Sequence, residues 1–238
     1  MNSSGTSAKS ALRASIRARR TARIDASRAD SGGAPALYAE HVAKLVRAVR
    51  PAAVVGYAAL PGEPSLDAAL TALLDSQTPV LLPATRKGEP LQLGHVTGPL
   101  DDLPRGTWGI REPDRTLPAP EALARAADTA AAGAGVGAGA GAGAGAAPIL
   151  VLVPGLAYDT RGVRLGNGGG FYDRTFGPQG QFAGGVADGV LAPLRARLRF
   201  VGVCWDDERT DDLPRAAWDL TVGAVLTESG LHRVTSDT

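Results

Sequence analysis

Val153 to Arg174 reads V-P-G-L-A-Y-D-T-R-G-V-R-L-G-N-G-G-G-F-Y-D-R. An apolar strand end, two arginines, a run of glycines and an aromatic pair followed by aspartate follow one another without a break. In that order a strand hands over to a phosphate-binding loop and then to a helix. Glycines let the backbone reach positive φ and approach an oxyanion closely, and free N–H groups where the next helix starts favour negative charge. The stretch predicts an α/β fold whose site lies at the carboxyl end of a strand over Ile149–Val153.

On either side, short apolar runs alternate with helical patterns. Ala8 to about Ala29 is rich in Ala and Arg, with Leu12 and Ile16 four apart on a narrow apolar stripe. Ser31 to Pro35 breaks it, and Ala36 to Val49 forms a second helix that Pro51 ends. Ala52–Ala58, Pro79–Leu82, Phe200–Trp205 and Val222–Leu226 read as buried strands, and Leu91–Val96 alternates as a further one. Leu66–Leu74, Glu121–Thr129 and a segment beginning at Gly170–Phe176 read as helices, and Pro99–Pro120 as an irregular loop around Trp108. Alternation of this kind predicts one α/β domain over residues 1–238, a Rossmann-like three-layer arrangement of a mainly parallel sheet flanked by helices. Ala130–Ala147 is almost all Ala and Gly; with no side chains to bury and a high ordering entropy, it is expected to be a disordered insertion.

Composition narrows the partners. A chain of 238 residues can bury its own core, so a monomer is expected. The net charge of +1 carries no global nucleic-acid footprint, and no nucleic-acid partner is expected. Cys204 is the single cysteine, which excludes an internal disulfide and a cysteine metal cluster and suits a cytoplasmic compartment. No apolar run is long enough to span a bilayer, and no apolar signal core follows Met1, so no membrane partner is expected. The arginine-rich N-terminus also has the composition of a transit peptide, but Lys9 and Arg13 have another use below.

Known phosphate-loop patterns do not fit. G-x-G-x-x-G fails because Phe171 stands where the third glycine belongs, and the P-loop fails because none of Lys9, Lys44 and Lys87 follows a suitable glycine. No H-E-x-x-H, C-x-x-C or G-x-S-x-G occurs, and His41, His95 and His232 are scattered, which argues against histidine base chemistry.

Pro154-Gly155-Leu156-Ala157-Tyr158-Asp159, Gly162, Arg164-Leu165-Gly166 and Gly168-Gly169-Gly170-Phe171-Tyr172-Asp173-Arg174 resemble the signature of the 5-formyltetrahydrofolate cyclo-ligase family. Lys9-Ser10-Ala11-Leu12-Arg13 is similar to that family's N-terminal K-x-x-L-R, and Tyr57 to Glu63 to its Y…G-E segment. Leu82-Pro83, Trp108-Gly109-Ile110-Arg111-Glu112-Pro113 and Asp212-Leu213-Pro214 with Trp218-Asp219 follow in the same order. The likeness covers nearly the whole chain outside Ala130–Ala147 and the ends. It implies closure of 5-formyltetrahydrofolate to 5,10-methenyltetrahydrofolate with ATP as co-substrate and Mg²⁺ as metal.

By that resemblance Arg164 and Asp173 are the catalytic candidates. ATP would be held by Lys9, Arg13, Arg164, Leu165, Gly166, Asn167, Gly168, Gly169, Gly170, Phe171 and Tyr172. Tyr57, Ala58, Glu63 and Trp108, with Asn167 to Phe171, would hold the folate, and Asp173 and Asp219 the Mg²⁺. Lys9 and Arg13 stand i, i+4 and so share one helix face. The chain departs from the family at Asn167, often Tyr or Arg there, at Phe171, often Tyr, and at Gly223, where many relatives carry a second Asp; Gly169 stands where Lys or Gly is usual. Two other readings remain: a catalytically silent folate- or nucleotide-binding protein of the same fold, and an RNA-binding module built on the basic N-terminal helix.

Overall fold

The structure is a computed structural model that describes residues 3–27, 33–106, 108–133, 146–183 and 191–235. Its centre is an eight-stranded sheet ordered β11-β10-β8-β5-β1-β2-β3-β4. The strands are β1 (Ala53–Val55), β2 (Val80–Ala84), β3 (Gln92–His95), β4 (Leu117–Pro118), β5 (Ile149–Pro154), β8 (Leu198–Val203), β10 (Ala224–Thr227) and β11 (Gly230–Arg233). From β10 to β2 the strands run parallel; β3, β4 and β11 pair antiparallel at the two edges. The expected mainly parallel, helix-flanked sheet is what the chain forms.

Both faces of the central strands are apolar, as a sheet covered on both sides requires. Val54, Leu150, Leu152, Val201 and Val203 face α2 (Gly33–Val49) and α3 (Asp67–Asp75), where they pack with Tyr38, Val42, Leu66 and Leu70. Val55, Ile149, Val151 and Val153 face the other way, onto Leu123 of α4 (Ala119–Gly133), Phe176 of α5 (Phe171–Phe176) and Phe182. A shorter helix, α6 (Ala192–Arg197), leads into β8.

Several element bounds differ from the sequence reading for physical reasons. α2 starts at Gly33 and α4 at Ala119 because Pro35 and Pro120 sit in a first helical turn, where proline's missing N–H is no loss. Ala130 to Gly133 continue α4, since alanine is the strongest helix former; this part of the expected insertion is helical, and residues 134–145 lie outside the described residues. β1 ends at Val55, three residues before the expected end, and frees Gly56, Tyr57 and Ala58 for the site.

A second, three-stranded sheet ordered β7-β6-β9 lies beside the first: β6 (Ala157–Asp159), β7 (Arg164–Leu165) and β9 (Arg209–Thr210). The N-terminal helix α1 (Ser3–Ser27) lies on it, burying Ile16 against Leu156, Ala157, Val163, Leu165 and Leu213. Buried Asp159 holds this unit together, accepting from the N–H groups of Arg161, Val163 and Leu213 at 3.0, 2.8 and 3.1 Å. The contact to Leu213 also fixes the start of the segment that leads to Asp219. Among the described residues no helix is long and apolar enough to cross a membrane.

Candidate active site

Chain connections leave β1 toward β2 on one side and β5 toward β8 on the other, so β1 and β5 flank the switch point of the sheet. A crevice opens beyond the carboxyl ends of strands at such a point. Here it is a cleft of about 1570 Å³, walled by α1, the segments after β1, β2 and β5, the Trp108 loop and residues 214–219.

The glycine loop forms one wall. Gly168 and Gly170 have φ of +101° and +66°, the left-handed region that a side chain would strain, and Gly170 is the residue before α5. Arginines hold the loop by its carbonyls: Arg13 donates to Gly166 at 2.9 Å, Arg17 to Asn167 at 2.8 Å and Arg174 to Gly169 at 2.6 Å. Among the described residues the N–H groups from Gly166 to Gly170 find no protein acceptor. A loop whose carbonyls are tied back and whose amides are unspent has the donors to receive an anion.

Opposite stand the charged groups. Lys9 Nζ lies 2.7 Å from Asp219 Oδ2, which also accepts the Ala216 N–H at 2.7 Å. Arg164 is buried in β7; its Nη2 donates to both oxygens of Asp173 at 3.0 Å, and its guanidinium lies over the Tyr172 ring at 5.3 Å. Burial works against the Arg164 charge, but Asp173 more than offsets it and raises the pKa. Arg164 Nε and the Tyr172 hydroxyl are buried without a partner among the described residues.

The far end is built by the turn after β1. Glu63 is almost wholly buried and accepts the Leu60 N–H at 3.0 Å and the Asn167 side-chain amide at 3.0 Å. Burial pushes its carboxyl above the usual glutamate range, against the pull of those hydrogen bonds and of Arg20. The Tyr57 hydroxyl is committed to the Pro64 carbonyl at 2.7 Å, so its ring, not its oxygen, is available. At the mouth Trp108 and Trp218 are 56% and 57% exposed, large apolar rings left in water beside a cavity.

Two carboxylates suit a hard divalent ion that takes most of its remaining ligands from phosphate and water. Asp173 and Asp219 both line the cleft, their surroundings meet where the Leu220 N–H donates to Asp173 at 3.0 Å, and among the described residues nothing donates to Asp219 Oδ1. The donor set therefore fits Mg²⁺ with phosphate. Among the described residues no cluster of three or more His, Cys, Asp or Glu could cage a metal alone.

Of the residues singled out from sequence, Lys9, Arg13, Tyr57, Ala58, Glu63, Trp108, Arg164, Gly166 to Asp173 and Asp219 all line this one cleft. Leu165 does not; its side chain packs under α1 with Ile16. Arg17 and Arg215, which sequence reading did not single out, also line it, as do Pro214 and Trp218, quoted above for the family likeness but given no role in the site. Arg17 was legible as the next step of the Lys9–Arg13 spacing.

A model of the 5-formyltetrahydrofolate cyclo-ligase family matches residues 5–145 and 143–228. A 5-formyltetrahydrofolate cyclo-ligase from Mycolicibacterium smegmatis is 30% identical over 177 residues, 73% of this chain and 72% of that protein. The solved 5,10-methenyltetrahydrofolate synthetase of Aquifex aeolicus is similar in fold, with a TM-score of 0.60 and 24% identity over 97% of this chain and 94% of that one. The synthetase of Mycoplasma pneumoniae has a TM-score of 0.55 and 15% identity, covering 92% of this chain and 98% of the other.

Proposed function

The chain belongs to the 5-formyltetrahydrofolate cyclo-ligase family, and on that premise we propose that it is an ATP-dependent enzyme that closes 5-formyltetrahydrofolate to 5,10-methenyltetrahydrofolate. A formamide is a poor electrophile, and its oxygen leaves badly. Attack of that oxygen on the terminal phosphorus of ATP releases ADP; the neighbouring folate nitrogen then attacks the activated carbon and gives up its proton. Phosphate departs with the former formyl oxygen. The protein's share is to align the two substrates and to stabilise charge.

The observation that carries this reading is the glycine loop with its amides unspent and its carbonyls held by Arg13, Arg17 and Arg174. Those amides cradle the phosphate in transfer, and Lys9 and Arg13 reach the remaining phosphates from α1. Arg164 holds Asp173 toward the cleft. Asp173 and Asp219 would hold Mg²⁺, which when bound offsets phosphate charge. Glu63 accepts the N–H donors of the pterin, and Trp108, Phe171 and Tyr172 offer flat apolar surface to the rings.

The test mixes purified protein, 5-formyltetrahydrofolate, ATP and Mg²⁺ and follows the near-ultraviolet absorbance of the methenyl product; no product at high enzyme concentration sinks the proposal. In the same assay Asp173→Asn should cut turnover about 100-fold or more, the scale of a lost charge stabiliser. An unchanged Mg²⁺ titration in that variant would refute the metal assignment.

A further inference from the structure

Arg20 does not line the cleft, yet three parts of the cleft's support meet on it. Its side chain is 6% exposed. Nε and Nη2 fork onto the two oxygens of Glu208 at 2.8 and 2.7 Å, Nη2 also donates to the Gly155 carbonyl at 2.7 Å, and Nη1 reaches Glu63 Oε1 at 3.5 Å. Glu208 follows β8, Gly155 follows β5 and Glu63 follows β1, which are neighbours in the sheet. One guanidinium from α1 thus ties together the carboxyl ends of three adjacent strands.

The turn that carries Glu63 is shaped around the same side chain. Gly62 has φ +82°, and a Cβ placed there would lie 2.9 Å from Arg20 Cβ. Trp205, from the turn that holds Glu208, donates its Nε1–H to the Gly62 carbonyl at 2.9 Å. On its cleft side Glu63 takes the Asn167 amide at 3.0 Å. The chain from Glu208 through Arg20 and Glu63 to Asn167 therefore runs from the segment after β8 to the glycine loop.

We propose that Arg20 is a positioning residue for folate binding: anchored by Glu208, it holds the Glu63 carboxylate, and through Asn167 the glycine loop, in the register that the pterin requires, without touching either substrate. This rests on the reading of Glu63 as the group that accepts the pterin N–H donors. The charged and titratable groups facing Glu63 are Arg20, which favours its ionised form, Glu208, which opposes it, the Tyr57 phenol, itself bound to Pro64, and the Tyr172 phenol from α5. Burial disfavours the carboxylate and wins overall, while the Leu60 N–H, the Arg20 cation and the Asn167 amide each pull toward the ionised form that accepts on both oxygens. A planar fork is needed for the task. Lysine carries the charge but cannot match the two Glu208 oxygens while reaching Gly155 and Glu63.

Removing Arg20 alone would leave the buried Glu208 carboxylate facing only the more distant Arg23, at 3.6 Å, so the experiment uses the pair R20Q/E208Q beside R20K. KM for 5-formyltetrahydrofolate and for ATP, kcat, the pH profile of kcat/KM and the melting temperature are measured for each. Both variants should raise the folate KM about tenfold or more, the scale of a displaced charge-assisted hydrogen bond. Their ATP KM should stay within about twofold, since Arg13, Arg17 and Arg174 hold the carbonyls of the glycine loop whether or not Arg20 is present. R20Q/E208Q should move the acid limb of the folate profile to higher pH, whereas R20K should leave it in place. Introduced into E63Q, neither change should raise the folate KM much further. A lowered melting temperature with both KM values and the limb unmoved would overturn the inference and make Arg20 purely structural. Wild-type protein that turns over no folate would instead bring down the functional reading and this one with it.

Discussion

Glu63 is the residue whose titration should be visible from outside. Burial raises its carboxyl pKa, with the Leu60 N–H, Arg20 and Asn167 working against the shift. Between the ordinary glutamate value and the raised one, the folded chain keeps a proton that the unfolded chain has lost. The group's contribution to stability therefore falls as pH rises through that window, because the unfolded state binds fewer protons there. Paired thermal melts across mildly acid pH should have wild type losing stability relative to E63Q as the pH is raised; parallel curves would refute the burial argument. The same site has two costs, since the ionised form that binds a donor-rich ligand is the form that the fold disfavours.

At the scale of elements, α1 decides whether the site is complete. Lys9, Arg13, Arg17 and Arg20 follow one another at helical spacing, and each is engaged with Asp219, the glycine loop or Glu208. Ile16 is fully buried beneath the helix, so Ile16→Ala should cost about 2 to 5 kcal/mol in urea unfolding and raise the ATP KM together with it. A stability loss with an unchanged ATP KM would separate the helix from nucleotide binding.

The elements also mark what the sequence could tell. The glycine loop, the Lys9–Arg13 spacing and the parallel core strands were legible because each is a local pattern of residue types. β6, β7 and β9 were not, since strands of two or three residues have no period to read. Nor was the partnership of Arg20 with Glu208, which is made across 188 positions and leaves no local trace. Asn167, a departure from the family pattern, proved to be the residue that binds Glu63.

For the molecule as a whole, the switch point between β1 and β5 sets where the cleft opens, and none of the described residues of the Ala/Gly run lines it. The family match breaks in two at this run, at residues 145 and 143. Its flanks are in use: Ala130 to Gly133 end α4, and the Ala147 and Pro148 carbonyls accept from Arg197 and Ala52 at 2.9 and 2.7 Å. Deleting residues 138–143 should therefore leave turnover unchanged and alter stability by about 0.6 kcal/mol or less, the entropy of halving a loop. A collapse in either quantity would assign the run a packing role.

The ion pairs of α1 also set an order in time. α1 finds its charged partners 188 and 210 residues further along, at Glu208 and Asp219, so these ion pairs close only once residue 219 has been made. Closing contacts across such separations costs more chain entropy than closing local ones, so they are expected to form late in folding. Loosening α1 should then quicken unfolding and leave the refolding rate nearly untouched. On that order the wall of the cleft that α1 supplies is the last to be completed.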